Sequence, residues 1–291
     1  MAPERSAGRT EAVVRDWPFS PSPVPWRLRS SRLARSVALR RAAPASRVVA
    51  PAGAAARWTC YFMFMPDGAA TAAHRFTLER LAAEPGKLLV VAASRSPDAV
   101  PRVVRRCADA VVWKDLPGFD FSGYSLALRH LAERSPGADV FLMNDSVLGP
   151  FASPAAALAD APWDLTGFTA SSLFENHVQS YAWRLRAATP EKVAALGLPR
   201  VTAFNRYMDV VICQETRLAR RAAESMTVGA KWFADHREVR NPSLELAVDL
   251  AREGLPFLKR SLLGKYRGLQ ASGAVAALLE AYGHPIEGLG G

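Results

Sequence analysis

Four segments of this chain are apolar at nearly every position, and that pattern restricts the fold more than any other feature. They are residues 58–65 (WTCYFMFM), 87–93 (KLLVVAA), 109–113 (DAVVW) and 138–143 (ADVFLM). A strand with one face in water alternates apolar and polar side chains, whereas an uninterrupted apolar strand is covered on both faces. None approaches the ~18–20 apolar residues of a membrane span. Between the first two, residues 69–84 place His74, Leu78 and Leu81 at helical spacing and stop at Pro85-Gly86. Residues 97–107 and 122–133 also read as helices. Strands alternating with helices at this spacing predict an α/β fold, a Rossmann-type, mainly parallel sheet flanked by helices. Later strands are expected at 164–169 and 178–185. The chain from Pro190 onward reads as mainly helical.

The 291 residues suffice for one large domain with a real core. The net charge of +10 invites a nucleic-acid reading, but its distribution argues against one. Residues 1–57 hold 11 Arg, no Lys and three acids (Glu4, Glu11, Asp16), whereas the rest holds 26 bases and 24 acids. A nucleic-acid-binding domain spreads basic residues over a folded face. Zinc-finger spacing and aromatic–basic interleaving are absent, so no nucleic-acid partner is expected. Two regions follow: a basic Arg/Pro/Ala-rich extension at 1–57, partly disordered or amphipathic, and a domain at 58–291. Pro18, Pro21, Pro23 and Pro25 predict irregular chain through residue 25. Residues 26–41 suit a short basic helix, with Trp26, Leu33 and Val37 flanked by Arg29, Arg32, Arg35 and Arg40. Such a segment fits an anionic membrane surface. The alternative is a solvated tail, or a helix packed on the domain. Three widely spaced cysteines, Cys60, Cys107 and Cys213, make neither a disulfide framework nor a CxxC pair. With no apolar signal region at the start, the expectation is a cytoplasmic protein, at most peripheral on the inner face of the membrane.

In an open parallel sheet, ligands bind beyond the carboxyl ends of the strands. The loops there are 66–68, which contains Asp67, and 94–96, 114–121 and 144–150. A GxGxxG fingerprint, a GxxxxGK[ST] loop, a Gly-x-Ser-x-Gly elbow and HExxH are all absent, which argues against dinucleotide, P-loop, α/β-hydrolase and zinc-protease chemistry. The most informative stretch is Phe119-Asp120-Phe121-Ser122-Gly123, then the apolar strand at 138–143, then Asn144-Asp145-Ser146. A carboxylate just past a buried strand can hold a divalent ion that bridges two phosphates, with Asn144 and Ser146 as neutral partners. The alternative is a turn in which Asp145 binds backbone N–H groups. Lys259 or Arg260, after Pro256-Phe257-Leu258, could stabilise a departing diphosphate. Period two places His177, Gln179 and Tyr181 on one strand face and Val178 and Ser180 on the other.

The run FDFSGYSLALRHL…VFLMNDSVLGPF, with DLTGFT at 164–169, HVQSY at 177–181 and the segment 241–263 ending in PFLKRSLL, resembles the rhamnan synthesis protein F family of polysaccharide-assembling glycosyltransferases. The resemblance spans about residues 58–263 and leaves the extension outside. It implies a GT-A-like domain that moves a sugar, rhamnose among the options, from a nucleotide-diphosphate donor onto a polysaccharide or lipid-linked glycan. It implies donor contacts at Asp120, Ser122, Gly123, Asn144, Asp145 and Ser146, with Asp67 and Lys259 nearby, and acceptor contacts at Gln179, Ser180 and Tyr181. Glu215 matches the family's acidic residue after an apolar pair and is the expected base. Asp164 and His177 are further catalytic candidates, and Glu175 and Glu245 are rivals. A Mn or Mg ion on Asp145 would accompany this reading, although a single carboxylate departs from the usual Asp-x-Asp. The alternative function is a nucleotide-sugar- or glycan-binding protein without turnover.

Overall fold

The computed structural model describes residues 10–38 and 41–286. Its strands are β1 (Val13–Pro18), β2 (Arg41–Ala42), β3 (Ser46–Ala50), β4 (Arg57–Phe64), β5 (Lys87–Ala93), β6 (Ala110–Lys114), β7 (Ala138–Asn144), β8 (Val147–Leu148), β9 (Leu165–Ser171), β10 (His177–Val178), β11 (Ala182–Ala188), β12 (Ala203–Phe204), β13 (Val228–Ala234) and β14 (Leu258–Lys259). Its helices are α1 (Trp26–Ala38), α2 (Ala72–Ala82), α3 (Arg102–Cys107), α4 (Phe119–Arg134), α5 (Pro154–Ala157), α6 (Pro190–Ala195), α7 (Tyr207–Val210), α8 (Thr216–Ala222), α9 (Pro242–Glu245), α10 (Ala247–Arg252) and α11 (Ala274–Ala281). A π-helical turn, Val211–Glu215, joins α7 to α8.

The four apolar runs form the centre of a ten-stranded sheet, ordered β1-β13-β9-β11-β7-β4-β5-β6-β3 with β10 beside β9. Strands β7, β4, β5 and β6 are mutually parallel. Strand β11 is antiparallel to both β7 and β9, so β9 runs with β7, and β13 runs parallel to β9. Six of the ten strands therefore point the same way, the mainly parallel α/β arrangement expected. Both faces are covered, as non-alternating strands require. On one face Cys60, Phe62, Leu89, Val91, Val140 and Leu142 pack under α4 through Tyr124, Leu128 and Leu131. On the other, Tyr61, Met63, Val90 and Met143 pack against Leu78 and Leu81 of α2 and Leu246 and Leu250 beyond.

The extension is not a tail. Strand β1 pairs antiparallel with β13, and Trp17 stacks on Phe233 at 4.3 Å. Strand β3 pairs antiparallel with β6 at the opposite edge. Both sheet edges thus come from residues before 57, which were expected to be irregular chain and linker. Four of the six β1 residues face solvent, so little apolar pattern marks it in the sequence. Residues 1–9 of the extension, and Arg40 among the expected flanking cations, lie outside the described residues. The region after Pro190 is mainly helical, as expected, with one long strand among its helices: β13, buried beside β9. Helices α9, α10 and α11 then complete the chain. Among the described residues no helix is long and apolar enough to cross a membrane.

Candidate functional site

Strands β4, β5, β6 and β7 end together, and their carboxyl ends face the start of α4, the π turn and β14. Lys114 closes β6. It is fully buried, and its ammonium donates to the carbonyls of Asp115 (2.7 Å) and Pro117 (2.8 Å) with the Phe62 ring 5.6 Å away. Burial pushes Lys114 down to about 8, against the charges of Asp115 and Asp120. This lysine ties down the loop that delivers Asp120 into the first turn of α4. Asp120 Oδ1 accepts from the Phe121 N–H (3.0 Å), and Oδ2 accepts from Asn144 Nδ2 (2.6 Å). The Asn144 Oδ1 in turn accepts from the backbone N–H (3.1 Å) and hydroxyl (2.5 Å) of Ser146. Both side-chain polar atoms of Asn144 are thereby spent on orienting Asp120 and the turn after β7.

A cation reaches the same turn from elsewhere in the chain. Pairing of β14 with β8, and the Arg260 N–H on the Ser146 carbonyl (2.9 Å), bring Lys259 alongside. Its Nζ donates to Ser146 Oγ (3.2 Å) and stands 4.3 Å from the Tyr181 ring centroid. Burial lowers Lys259 to about 8, opposed by the charges of Glu215 and Asp120. Burial, and then the Glu215 charge, raise Asp120 to about 6. The three groups therefore sense one another: two carboxylates and one ammonium around a cleft in which Ser146 is solvent-exposed.

Glu215 sits at the end of the π turn. Its Oε2 accepts from the Ser180 hydroxyl and from the Ser180 N–H (3.3 Å), and its Oε1 lies 3.9 Å from His177 Nε2. His177 Nδ1 is 2.8 Å from the Glu175 carbonyl. A carbonyl only accepts, so Nδ1 carries the proton and in the neutral ring Nε2 is an acceptor. Tyr124 donates to the Ser180 carbonyl (3.0 Å) and fixes that residue from beneath.

Asp120, Asn144, Ser146, Lys259, Tyr181, Ser180, Glu215 and His177 are thus brought together as the sequence suggested, but the other candidates are not. Asp145 Oδ2 accepts from the Phe64 N–H (2.7 Å) and lies 3.3 Å from His74 Nε2. It stitches β7 to the end of β4 and to α2, the backbone-binding alternative raised for it. Asp164 stands at the start of β9, the opposite end of the sheet, where Lys192 and Thr227 hold its carboxyl down at about 2. Ser122 donates to the Phe119 carbonyl (2.7 Å) inside its own helix turn. Gly123 contacts no ligand space: a Cβ there would meet Phe62 Cδ2 at 2.4 Å, so its smallness serves helix–strand packing. Asp67 is exposed on the turn after β4. Gln179 is buried between the Thr169 hydroxyl (2.6 Å) and Asn241 (3.1 Å). The strict alternation expected over 177–181 fails because the chain leaves the ladder after Val178. His177 and Ser180 then share Glu215, while Gln179 and Tyr181 share Thr169.

One residue of the cleft was not anticipated. Tyr207 on α7 exposes most of its surface, but desolvation of its hydroxyl end and the charges of Glu215, Tyr266 and Asp120 raise that hydroxyl to about 12. The only hint in the sequence is an aromatic residue a few positions before Glu215. Two cavities of about 550 and 210 Å³ lie elsewhere, one beside Phe19, Trp163 and Met226, the other beside Arg57, Asp139 and Arg184. Neither includes a residue of the cleft. The donor set does not fit a resident divalent ion. Among the described residues no group of three or more His, Cys, Asp or Glu could hold one. Asp145 gives its Oδ2 to the Phe64 N–H and to His74, and the cation beside this turn is Lys259.

No family model matches the chain, that of rhamnan synthesis protein F included, and no curated protein matches it. Among solved structures, the chain is similar to 4-diphosphocytidyl-2C-methyl-D-erythritol synthase from Anaerococcus prevotii, at 10% identity and TM-score 0.38, over 62% of this chain and 87% of that one. It is likewise similar to S. aureus TarS 1–349, at 11% identity and TM-score 0.38, over 68% of this chain and 64% of that one.

Proposed function

We propose that this chain is a glycosyltransferase that moves a sugar from a nucleoside-diphosphate donor onto a glycan hydroxyl without a protein-held metal. The observation that carries the reading is the convergence of Lys259, Asp120 and Glu215 at the carboxyl ends of the parallel strands. Sugar transfer needs one group to take a proton and another to hold negative charge as it departs. Glu215, steadied by Ser180 and faced by His177, takes the acceptor hydroxyl proton. The acceptor oxygen bonds to the anomeric carbon as the carbon–oxygen bond to the diphosphate breaks. The electron pair leaves on the diphosphate, beside the Lys259 ammonium. Asp120 is placed to accept hydrogen bonds from donor hydroxyls. The resemblance of the cleft segments to rhamnan synthesis protein F favours rhamnose as the sugar and a polysaccharide or lipid-linked glycan as the acceptor.

The test is donor binding and turnover with a panel of nucleoside-diphosphate sugars, dTDP-rhamnose among them, in EDTA and with added Mn²⁺. Turnover in EDTA that falls at least 100-fold in Glu215→Gln, with binding kept, supports the reading. Lys259→Ala should lose both. A second reading, donor binding without turnover, draws on the commitment of the Asp145 carboxylate to the fold. Binding with no hydrolysis or transfer to any acceptor selects it, and no binding of any donor overturns both.

A further inference from the structure

Helix α1 presents two faces of opposite character. Its inner face is fastened to the domain. Leu28 is buried, Arg32 pairs with the fully buried Glu175, and Arg35 pairs with the buried Asp209. Arg32 also donates to the Ile212 carbonyl (2.9 Å) and to the Thr216 hydroxyl (2.6 Å), while Arg220 holds the other oxygen of Glu175 at 2.9 Å. Residues 28, 32 and 35 share one side of a helix, at 3.6 residues per turn.

The outer face carries no such partners. Trp26, Leu33 and Val37 stand at i, i+7 and i+11, one stripe, and are 71%, 67% and 82% exposed. Isolated exposed apolar residues need no explanation, but three in line on a helix whose other side is ion-paired to the body do. Arg29 flanks the stripe, and Arg27 lies over the Trp26 ring at 5.5 Å. The chain from residue 17 to 66 contains no acid at all. Beyond the end of α1, β2 pairs with β12, which brings in Arg200, Arg206, Val201, Tyr207 and Met208, all exposed.

From this we infer that the outer face of α1 docks on the surface of an anionic lipid bilayer, independently of what chemistry the cleft performs. The stripe is apolar, so it buries acyl chain; the cations are arginines, which suit phosphate headgroups; and Trp26 is at home in the interface. A second copy of the same helix would set arginine against arginine with no acid to relieve it. Nucleic acid would use the cations and leave the stripe wet. The helix lies directly against the π turn that carries Glu215, so docking places the cleft beside the lipid surface.

The test is co-sedimentation of the full chain with phosphatidylcholine vesicles, with and without 30 mol% phosphatidylglycerol, in 0.1 M salt and without donor. The expected result is binding to anionic vesicles only, at least tenfold weaker both in Trp26→Ser/Leu33→Ser/Val37→Ser and in Arg27→Glu/Arg29→Glu. Far-ultraviolet circular dichroism and turnover of soluble donor should be unchanged in both variants, because neither touches the inner face. No anionic-vesicle binding, or binding that the serine variant leaves intact, overturns the proposal. So does a dimer in sedimentation equilibrium that the serine variant dissolves, or tighter binding to single-stranded RNA than to vesicles.

Discussion

At the scale of single residues, the cleft is assembled from groups whose charges oppose their burial. Burial and the neighbouring Glu215 raise Asp120 to about 6, and burial lowers Lys259 to about 8. The signs set a window. Asp120 is ionised only above about 6, and Lys259 is charged only below about 8, so both charges coexist between these values. Donor turnover should therefore follow a bell with limbs near those pH values, read as apparent values of a coupled cluster. In Lys259→Arg the alkaline limb should move beyond pH ~10, because a guanidinium does not titrate there. An alkaline limb that stays near 8 in this variant assigns it to another group. Both shifts also cost stability. The raised Asp120 favours the fold most at low pH, and that contribution is lost as pH rises through about 6. The lowered Lys259 penalises the fold while it is charged, and the penalty lifts only toward alkaline pH.

At the scale of elements, α4 is placed by a contact, not by a ligand. Gly123 lets the helix sit on β4 at the Phe62 ring, and the same helix carries Asp120 in its first turn. Gly123→Ala should lower unfolding free energy by about 1–3 kcal/mol, the usual cost of overpacking a close contact. It should reduce donor turnover as α4 shifts, and adding Phe62→Leu should recover part of both. The midpoint and slope of urea unfolding check this; an unchanged midpoint in Gly123→Ala shows that the helix has room to spare. The π turn is the other element that matters. It presents Glu215 to Ser180 on one side and its Ile212 carbonyl to Arg32 on the other, so the candidate base is braced by a helix nearly 180 residues earlier in the chain.

At the scale of the whole molecule, the basic N-terminal segment closes the sheet. Without it, β13 and β6 would end the sheet as long, apolar, unpaired edges, which invite association. Removing residues 1–57 should give a protein that aggregates or unfolds without cooperativity, read by size exclusion and thermal unfolding. A soluble monomer with an unchanged Tm would show that the segment is dispensable to the body. The lysine-pinned loop at β6, the turn after β7 and the β8–β14 pair meet only because the sheet brings three distant parts of the chain to one end.

The sequence alone determined the central sheet, because uninterrupted apolar runs have only one arrangement that hides both faces. It also pointed to Asn144 and Ser146, because polar residues abruptly ending a buried strand are costly unless something holds them, and to Lys259 as a cation for a departing diphosphate, while Asp120 and Glu215 came from the family resemblance. It could not tell Asp145 from Asp120. Both are carboxylates beside buried elements and both accept hydrogen bonds from the fold; only the tertiary structure shows that Asp145 is tied to the Phe64 N–H and His74, while Asp120 shares its surroundings with Glu215 and Lys259. Nor could it show that Asp164 lies at the far end of the sheet, since distance along a strand becomes distance in space only once the strand order is set. The edge strands and Tyr207 stayed hidden for the same reason: half-exposed residues carry little periodic signal, and their partners come from remote parts of the chain.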